Sequence, residues 1–328
     1  MSGGADARTP PAPASRFRLG ISTCFAVKRW PRPEDWAAVA RNDLGLDLVE
    51  LSADLLEGMD VPGERSLAIA RTRAALADHG LVAETTFTGL NAFGSNLLMH
   101  PEPERRAAGA AWYRNLVDIT AELGAVATGG HVGTMGVPDW TAADRREARM
   151  ADLRESLAEI AGHARRAGLE FLMLENLPSP REPSTFAWIE DLLTDGDETH
   201  VPWRLCFDVG HTCTPGATDQ ELDPYTWPGR FAGKIAEVQL QQTDGLGDHH
   251  WQFSAARNRA GIIDAAKLLQ TLQTTTSGDI RLILEIIPPG EQSDDEVLAE
   301  LKESVDYWRQ AIAAHNSGGG GVAVASGG

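Results

Sequence analysis

A chain of 328 residues with 29 lysines and arginines against 47 aspartates and glutamates carries a net charge of −18. That is a poor surface for a phosphate backbone, so nucleic acid is not an expected partner. No apolar run approaches the ~18 residues a membrane span needs, and the N-terminus lacks a basic-then-apolar secretory pattern; a cytoplasmic protein with no membrane partner is expected.

Residues 1–15 and 315–328 are rich in Gly, Pro, Ser and Ala and read as disordered tails flanking one domain, 16–314. Along that domain extended apolar runs alternate with helical segments. FRLGIS (17–22) is the first predicted strand, followed by the helix PEDWAAVARNDL, the strand LDLVELS (46–52) and the helix SLAIARTRAALADHG. LVAETTF (81–87), the helix PERRAAGAAWYRNLVDITAELG, AVATGGH (125–131) and the helix DRREARMADLRESLAEIAGHARRAG continue the pattern. LEFLMLE (169–175), WRLCFD (203–208), IAEVQLQ (235–241) and IRLILEI (280–286) complete eight strands. Gly80, Gly124 and Gly168 stand where helices should stop. Eight βα units within one domain imply a single α/β domain of the (β/α)8 TIM-barrel type, with its chemistry on the loops after the strands. No glycine-rich GxGxxG turn follows the first strand, which argues against a doubly wound sheet. Cys24, Cys206 and Cys213 are an odd number without a CxxC spacing and read as reduced, packed thiols.

In that frame Glu50, His131, Glu175, Asp208 and Glu285 each fall at or near the C-terminal end of a predicted strand. Alternation along the seventh strand turns Glu237, Gln239 and Gln241 to one face and the apolar Ala236, Val238 and Leu240 to the other. Clustered carboxylates with a carboxamide or imidazole form a hard site suited to Mn²⁺, Mg²⁺ or Co²⁺, or to Zn²⁺ if a histidine joins.

At these residues, and over residues 17–312, the chain resembles the xylose isomerase-like barrel superfamily. The resemblance implies one divalent metal held by Glu175, Asp208 and Glu285, with His211 of Asp208-Val209-Gly210-His211 near the substrate. Many members read HVHLxD on strand seven; here the residues are Glu237-Val238-Gln239-Leu240-Gln241-Gln242, which puts Gln239 where the imidazole is expected. With Gln239 as fourth ligand, the preferred metal becomes Mn²⁺ or Mg²⁺, ahead of Co²⁺ or Zn²⁺. The segments 86–101, 128–140 and 238–261 resemble the tetrulose-phosphate branch, the D-erythrulose 1-phosphate 3-epimerase type of erythritol catabolism. The implied reaction takes a proton from a small ketose or ketose phosphate and returns it through a metal-stabilised enediolate. Glu175 and Glu285 would be the acid/base pair.

Further substrate contacts are expected from His131 in a Gly-Gly-His-Val-Gly setting, from Asp248 and His250, which resemble a DxH metal element, and from Trp251 and Glu50. Arg257 and Arg259 are phosphate candidates, as are Lys28, Arg29, Arg181 and the backbone N–H groups of Gly129 and Gly130. Each has an ordinary reading beside the functional one: a helix cap for Asp208, a packed ring for His131, a satisfied core amide for Gln239, solvated charge for the arginines. Two rival functions use the same residues, an inosose-dehydratase-like lyase and a non-catalytic sugar-binding barrel. An abasic-site endonuclease is disfavoured by Gln239 and by the acidic surface. Short loops and exposed helices permit a homo-oligomer.

Overall fold

The computed structural model describes residues 16–56, 61–276 and 278–318; the expected tail 1–15, and residues 319–328 of the expected tail 315–328, lie outside these. Eight strands, β1 (Phe17–Ser22), β2 (Leu48–Ser52), β3 (Val82–Phe87), β4 (Ala127–Gly130), β5 (Phe171–Glu175), β6 (Trp203–Asp208), β7 (Ile235–Leu240) and β8 (Ile280–Leu284), pair in chain order into a closed barrel. Every pairing is parallel, and the seam closes between β1 and β8 from Phe17 opposite Ile280 to Ile21 opposite Leu284.

The long helices Pro62–His79, Pro103–Leu123 and Ala143–Ala167 end at Gly80, Gly124 and Gly168, all in the left-handed conformation that glycine adopts without strain. The closing helix Asp294–Gly318 runs four residues past the expected start of the tail. The first helix, expected as one continuous run, is α-helical over Pro33–Ala38 and widens to a π turn over Val39–Asp43.

Strand alternation decides what reaches the active face. Leu172 and Leu174 on β5, Leu205 and Phe207 on β6, and Leu282 and Leu284 on β8 all belong to the large core between barrel and helices. Their alternates therefore face the barrel axis: Met173 and Glu175, Cys206 and Asp208, Ile283 and then Glu285 just beyond β8. Phe87, Met173 and Cys206 form a second apolar cluster inside the barrel. At its N-terminal end Arg18 and Arg281 close on Glu84.

One close approach inside the barrel wall depends on glycine. Gly129 on β4 has φ 154°, and a Cβ there would fall inside the van der Waals radius of the Met173 carbonyl oxygen on β5. Gly80 also has positive φ (61°), but nothing lies near its missing Cβ. Gly129→Ala is therefore expected to lose roughly 2–6 kcal/mol from strain plus overpacking, and Gly80→Ala only about 1 kcal/mol. Urea unfolding of both variants checks this; equal losses would refute the crowding argument.

Candidate active site

Glu175 ends β5, Asp208 ends β6 and Glu285 follows β8, and all three are buried. One oxygen from each lies within 4.8 Å of the others. Such crowding in a dry site opposes ionisation. Burial, with the neighbouring Asp208, pushes Glu175 up to about 7 against the pull of His211. Burial drives Glu285 well above the carboxylate range, opposed by His250 and reinforced by Glu175 and Asp208.

Local chain chemistry fixes Asp208. Its Oδ1 accepts the backbone N–H groups of Gly210 (2.6 Å) and His211 (3.2 Å), closing the Asp-Val-Gly-His turn. The carboxamide of Asn176, next to Glu175, clasps the Asp208 backbone, donating to its carbonyl and accepting its N–H, both at 2.9 Å. That clasp sets the height of two carboxylates relative to one another.

Two imidazoles converge on a fourth carboxylate. His211 donates from Nδ1 to the Asn176 carbonyl (2.8 Å), and His250 from Nδ1 to the Glu285 carbonyl (3.1 Å). Both turn Nε2 toward Asp248 Oδ1, at 3.3 and 3.1 Å. Burial opposes their charge, but the surrounding carboxylates outweigh it. His211 is raised well above the usual range and His250 to about 9, while Asp248 is held far below the ordinary value. His131, beyond β4, is the opposite case: burial, aided by His211, lowers it to about 3, so it is neutral. Thr88 Oγ1 lies 3.1 Å from its Nδ1, and Tyr113 donates to its carbonyl.

The donor set fits a hard divalent cation. His131 Nε2 and His211 Nδ1 each lie 3.1 Å from a Glu175 oxygen, yet neither Glu175 oxygen accepts an aligned hydrogen bond, and Glu285 Oε2 accepts none. Buried carboxylate oxygens without donors call for a proton or a counter-charge. Glu175, Asp208 and Glu285 form one metal-capable group; Asp208, His211 and His250 form a second that shares Asp208.

Gln239, expected as the fourth ligand, donates from its carboxamide to Glu50 (3.1 Å), and its buried Oε1 accepts no hydrogen bond. The amide among the site carboxylates is Gln241, two residues further along the same face. Gln241 Nε2 lies 3.1 and 3.2 Å from the Asp208 oxygens and 2.9 Å from Asp248 Oδ1, while its Oε1 accepts the His250 N–H at 2.6 Å. Glu50, expected at the substrate, is likewise inside the barrel; burial and the facing Glu237 push it well above the carboxylate range.

The cluster opens into a cavity of about 160 Å³, with His131, Glu175, His211, Asp248, His250 and Glu285 on one side and Leu90, Phe93 and Ile287 on the other. Among the described residues, no lysine or arginine lines it. Arg257 instead lies flat over the Trp251 ring at 4.0 Å, which in turn stacks on His249 at 4.1 Å; Arg259 is exposed. Arg29 pairs with Asp294, Arg181 is bound to the Met135 carbonyl, and Lys28 is exposed. Larger hollows of about 640 and 730 Å³ occur beside Trp140 and Trp112, but none of the clustered carboxylates or imidazoles lines them. Gln241, Leu90 and Phe93 were not singled out from the sequence as site residues. Only Gln241 had a signal there, its place on the inward face of β7.

Comparison with known proteins shows the family. The family described as xylose isomerase-like TIM barrel matches residues 37–313. The D-erythrulose 1-phosphate 3-epimerase of Brucella abortus (strain 2308) is 28% identical over 308 residues, covering 90% of this chain and 96% of its own. A candidate xylose isomerase of Rhodospirillum rubrum ATCC 11170 superposes with a TM-score of 0.81 at 32% identity, covering 90% of this chain and 99% of its own. An L-ribulose 3-epimerase shares the fold with a TM-score of 0.69 at 21% identity, covering 95% and 99% of the two chains. By its matched residues and its barrel, this chain belongs to the xylose isomerase-like TIM barrel family.

Proposed function

We propose that the chain is a divalent-metal-dependent epimerase of a small ketose, a tetrulose phosphate of the D-erythrulose 1-phosphate kind. The observation that carries this is the convergence of Glu175, Asp208 and Glu285, buried and short of donors, on a cavity of about 160 Å³. The similarity to the Brucella enzyme supports the substrate class.

The proton beside a ketone is far less acidic than any carboxylic acid, so its removal needs a positioned base and electrostatic relief for the oxygens that gain charge. A cation held by Glu175, Asp208 and Glu285 would supply that relief at the ketone and neighbouring hydroxyl oxygens. One of Glu175 and Glu285 takes the proton as the C–H bond breaks and its electron pair enters the enediolate. The other returns a proton to the opposite face, inverting the centre. His211, held charged by Asp208, Asp248 and Glu175, keeps positive charge beside the developing enediolate. Neutral His131 buttresses Glu175 without adding a competing cation. Phe93 and Leu90 exclude water from the reacting face.

Proton NMR of the Mn²⁺- or Mg²⁺-reconstituted protein in D₂O with D-erythrulose 1-phosphate should show deuterium entering C3 and a second tetrulose phosphate appearing. Loss of water instead would mark a lyase, and silence toward this and other ketoses would overturn the reading. Glu175→Gln and Glu285→Gln are each expected to lower turnover by about 10²–10⁴-fold with unchanged circular dichroism. Substantial activity in either would remove the two-carboxylate mechanism.

The site also predicts how the metal-free protein responds to pH. Glu175 and Glu285 have folded values above their unfolded ones, so the folded state holds extra protons and stability falls as pH rises through about 7. His250 acts in the same sense up to about 9 and His211 in the same direction; the lowered His131 opposes them at the acid end of the window, and Asp248 matters only in acid. Chelated protein should therefore unfold at a lower temperature at about pH 8.5 than at about pH 5.5, and added Mn²⁺ should stabilise it more at the higher pH. A metal-free stability that rises across this window would contradict the assignment. Gln241→His should move metal preference toward Zn²⁺ in calorimetric titrations, whereas Gln239→His should not; the reverse result would restore Gln239 to the metal.

A further inference from the structure

The acidic half of the cavity accounts for proton transfer but not for which ketose is accepted; that choice falls to the opposite wall. Leu90 and Phe93 lie on the five-residue helix Gly89–Phe93, directly after β3. Large apolar side chains left partly in water at a cavity mouth mark a surface that a ligand covers, and Leu90 is 37% and Phe93 41% exposed while both line the cavity. Their placement is built in. The Asp54 carboxylate accepts the N–H groups of Leu90 (2.6 Å) and Asn91 (3.0 Å), and Ser52 Oγ holds Asp54 at 3.0 Å. Gly89, at φ 78°, lies so close to that carboxylate that a Cβ would overlap it. The Phe93 ring packs 5.3 Å from the His131 ring, whose Nε2 is 3.1 Å from Glu175, so the phenyl group is one imidazole away from an acid/base carboxylate.

Resting on the epimerase reading above, we infer that Phe93, supported by Leu90, determines the length of ketose the site accepts. The cavity of about 160 Å³ is close to the roughly 150 Å³ that encloses a single benzene ring. A four-carbon ketose is near that limit, and each further CHOH unit must push against Phe93. The wall also gives an added hydroxyl no partner: the Leu90 and Asn91 N–H groups already bond Asp54, and the side chains that line this wall, Leu90, Phe93 and Ile287, are apolar. Size and polarity thus discriminate in the same direction. Because Phe93 packs at the mouth and outside the two cores, its truncation leaves the barrel intact.

The test is kcat/KM for the 1-phosphates of D-erythrulose, D-xylulose and D-fructose, and for the free sugars, with wild type, Phe93→Ala and Phe93→Leu. Wild type should favour the four-carbon substrate. Phe93→Ala should raise the six-carbon to four-carbon ratio by about tenfold or more, with Phe93→Leu intermediate and equilibrium Mn²⁺ affinity unchanged in both. A wild type active on tetruloses whose length ratio is the same in both variants overturns this inference and leaves the epimerase reading standing. A wild type silent on every ketose overturns both.

Discussion

Three buried carboxylates within 4.8 Å of one another are the constraint around which the mouth of this barrel is organised. At an effective dielectric of about 20, two unit charges at this separation repel by roughly 3–4 kcal/mol, and burial adds to the penalty. The surroundings answer that repulsion group by group. His211 and His250 carry positive charge, the Asp208 turn supplies two backbone N–H donors, and the Gln241 amide lies between Asp208 and Asp248. Even so, Glu175 and Glu285 retain oxygens without donors. The cation proposed above would complete such a set. The loops take unusual forms to serve it: His250 has φ 47°, a left-handed conformation that a non-glycine residue adopts only under constraint.

Much of this was legible in the chain because one rule, period-two alternation, operates on both the fold and the site. Apolar residues at 172 and 174, 205 and 207, and 282 and 284 must meet the helices, so the residues between and just after them turn inward, and the last inward residues are Glu175, Asp208 and Glu285. The strand ends were less legible. Leu46, Ala125 and Leu169 extend the apolar runs without joining the ladders, because they pack in the turns leading into β2, β4 and β5.

The same rule reaches its limit at the end of β7. Alternation identifies a face but not a height, and Gln239 and Gln241 share the face. Which one meets the carboxylates depends on the stagger of β7 against β6, where the register shifts between Leu205 and Cys206, and local pattern does not contain that. Arg257 was a phosphate candidate by charge and loop position, yet it is engaged with the Trp251 face. Phe93 was invisible for another reason: a five-residue helix has too few turns to show a hydrophobic period, and its direction is set by Asp54, 39 positions earlier in the chain.

The contact between Gly210 and Gln241 has a consequence for how this site varies. A Cβ at 210 would sit inside the Gln241 side chain, whose amide is held on one side by Asp208 and on the other by the His250 backbone. The glutamine therefore has nowhere to retreat, and residue 210 stays glycine for as long as it is present. The two positions behave as one steric unit spread over two loops. A shorter side chain at 241 would release 210 to any small residue, so across relatives the two should drift together, the identity of one recording which partner Asp208 has.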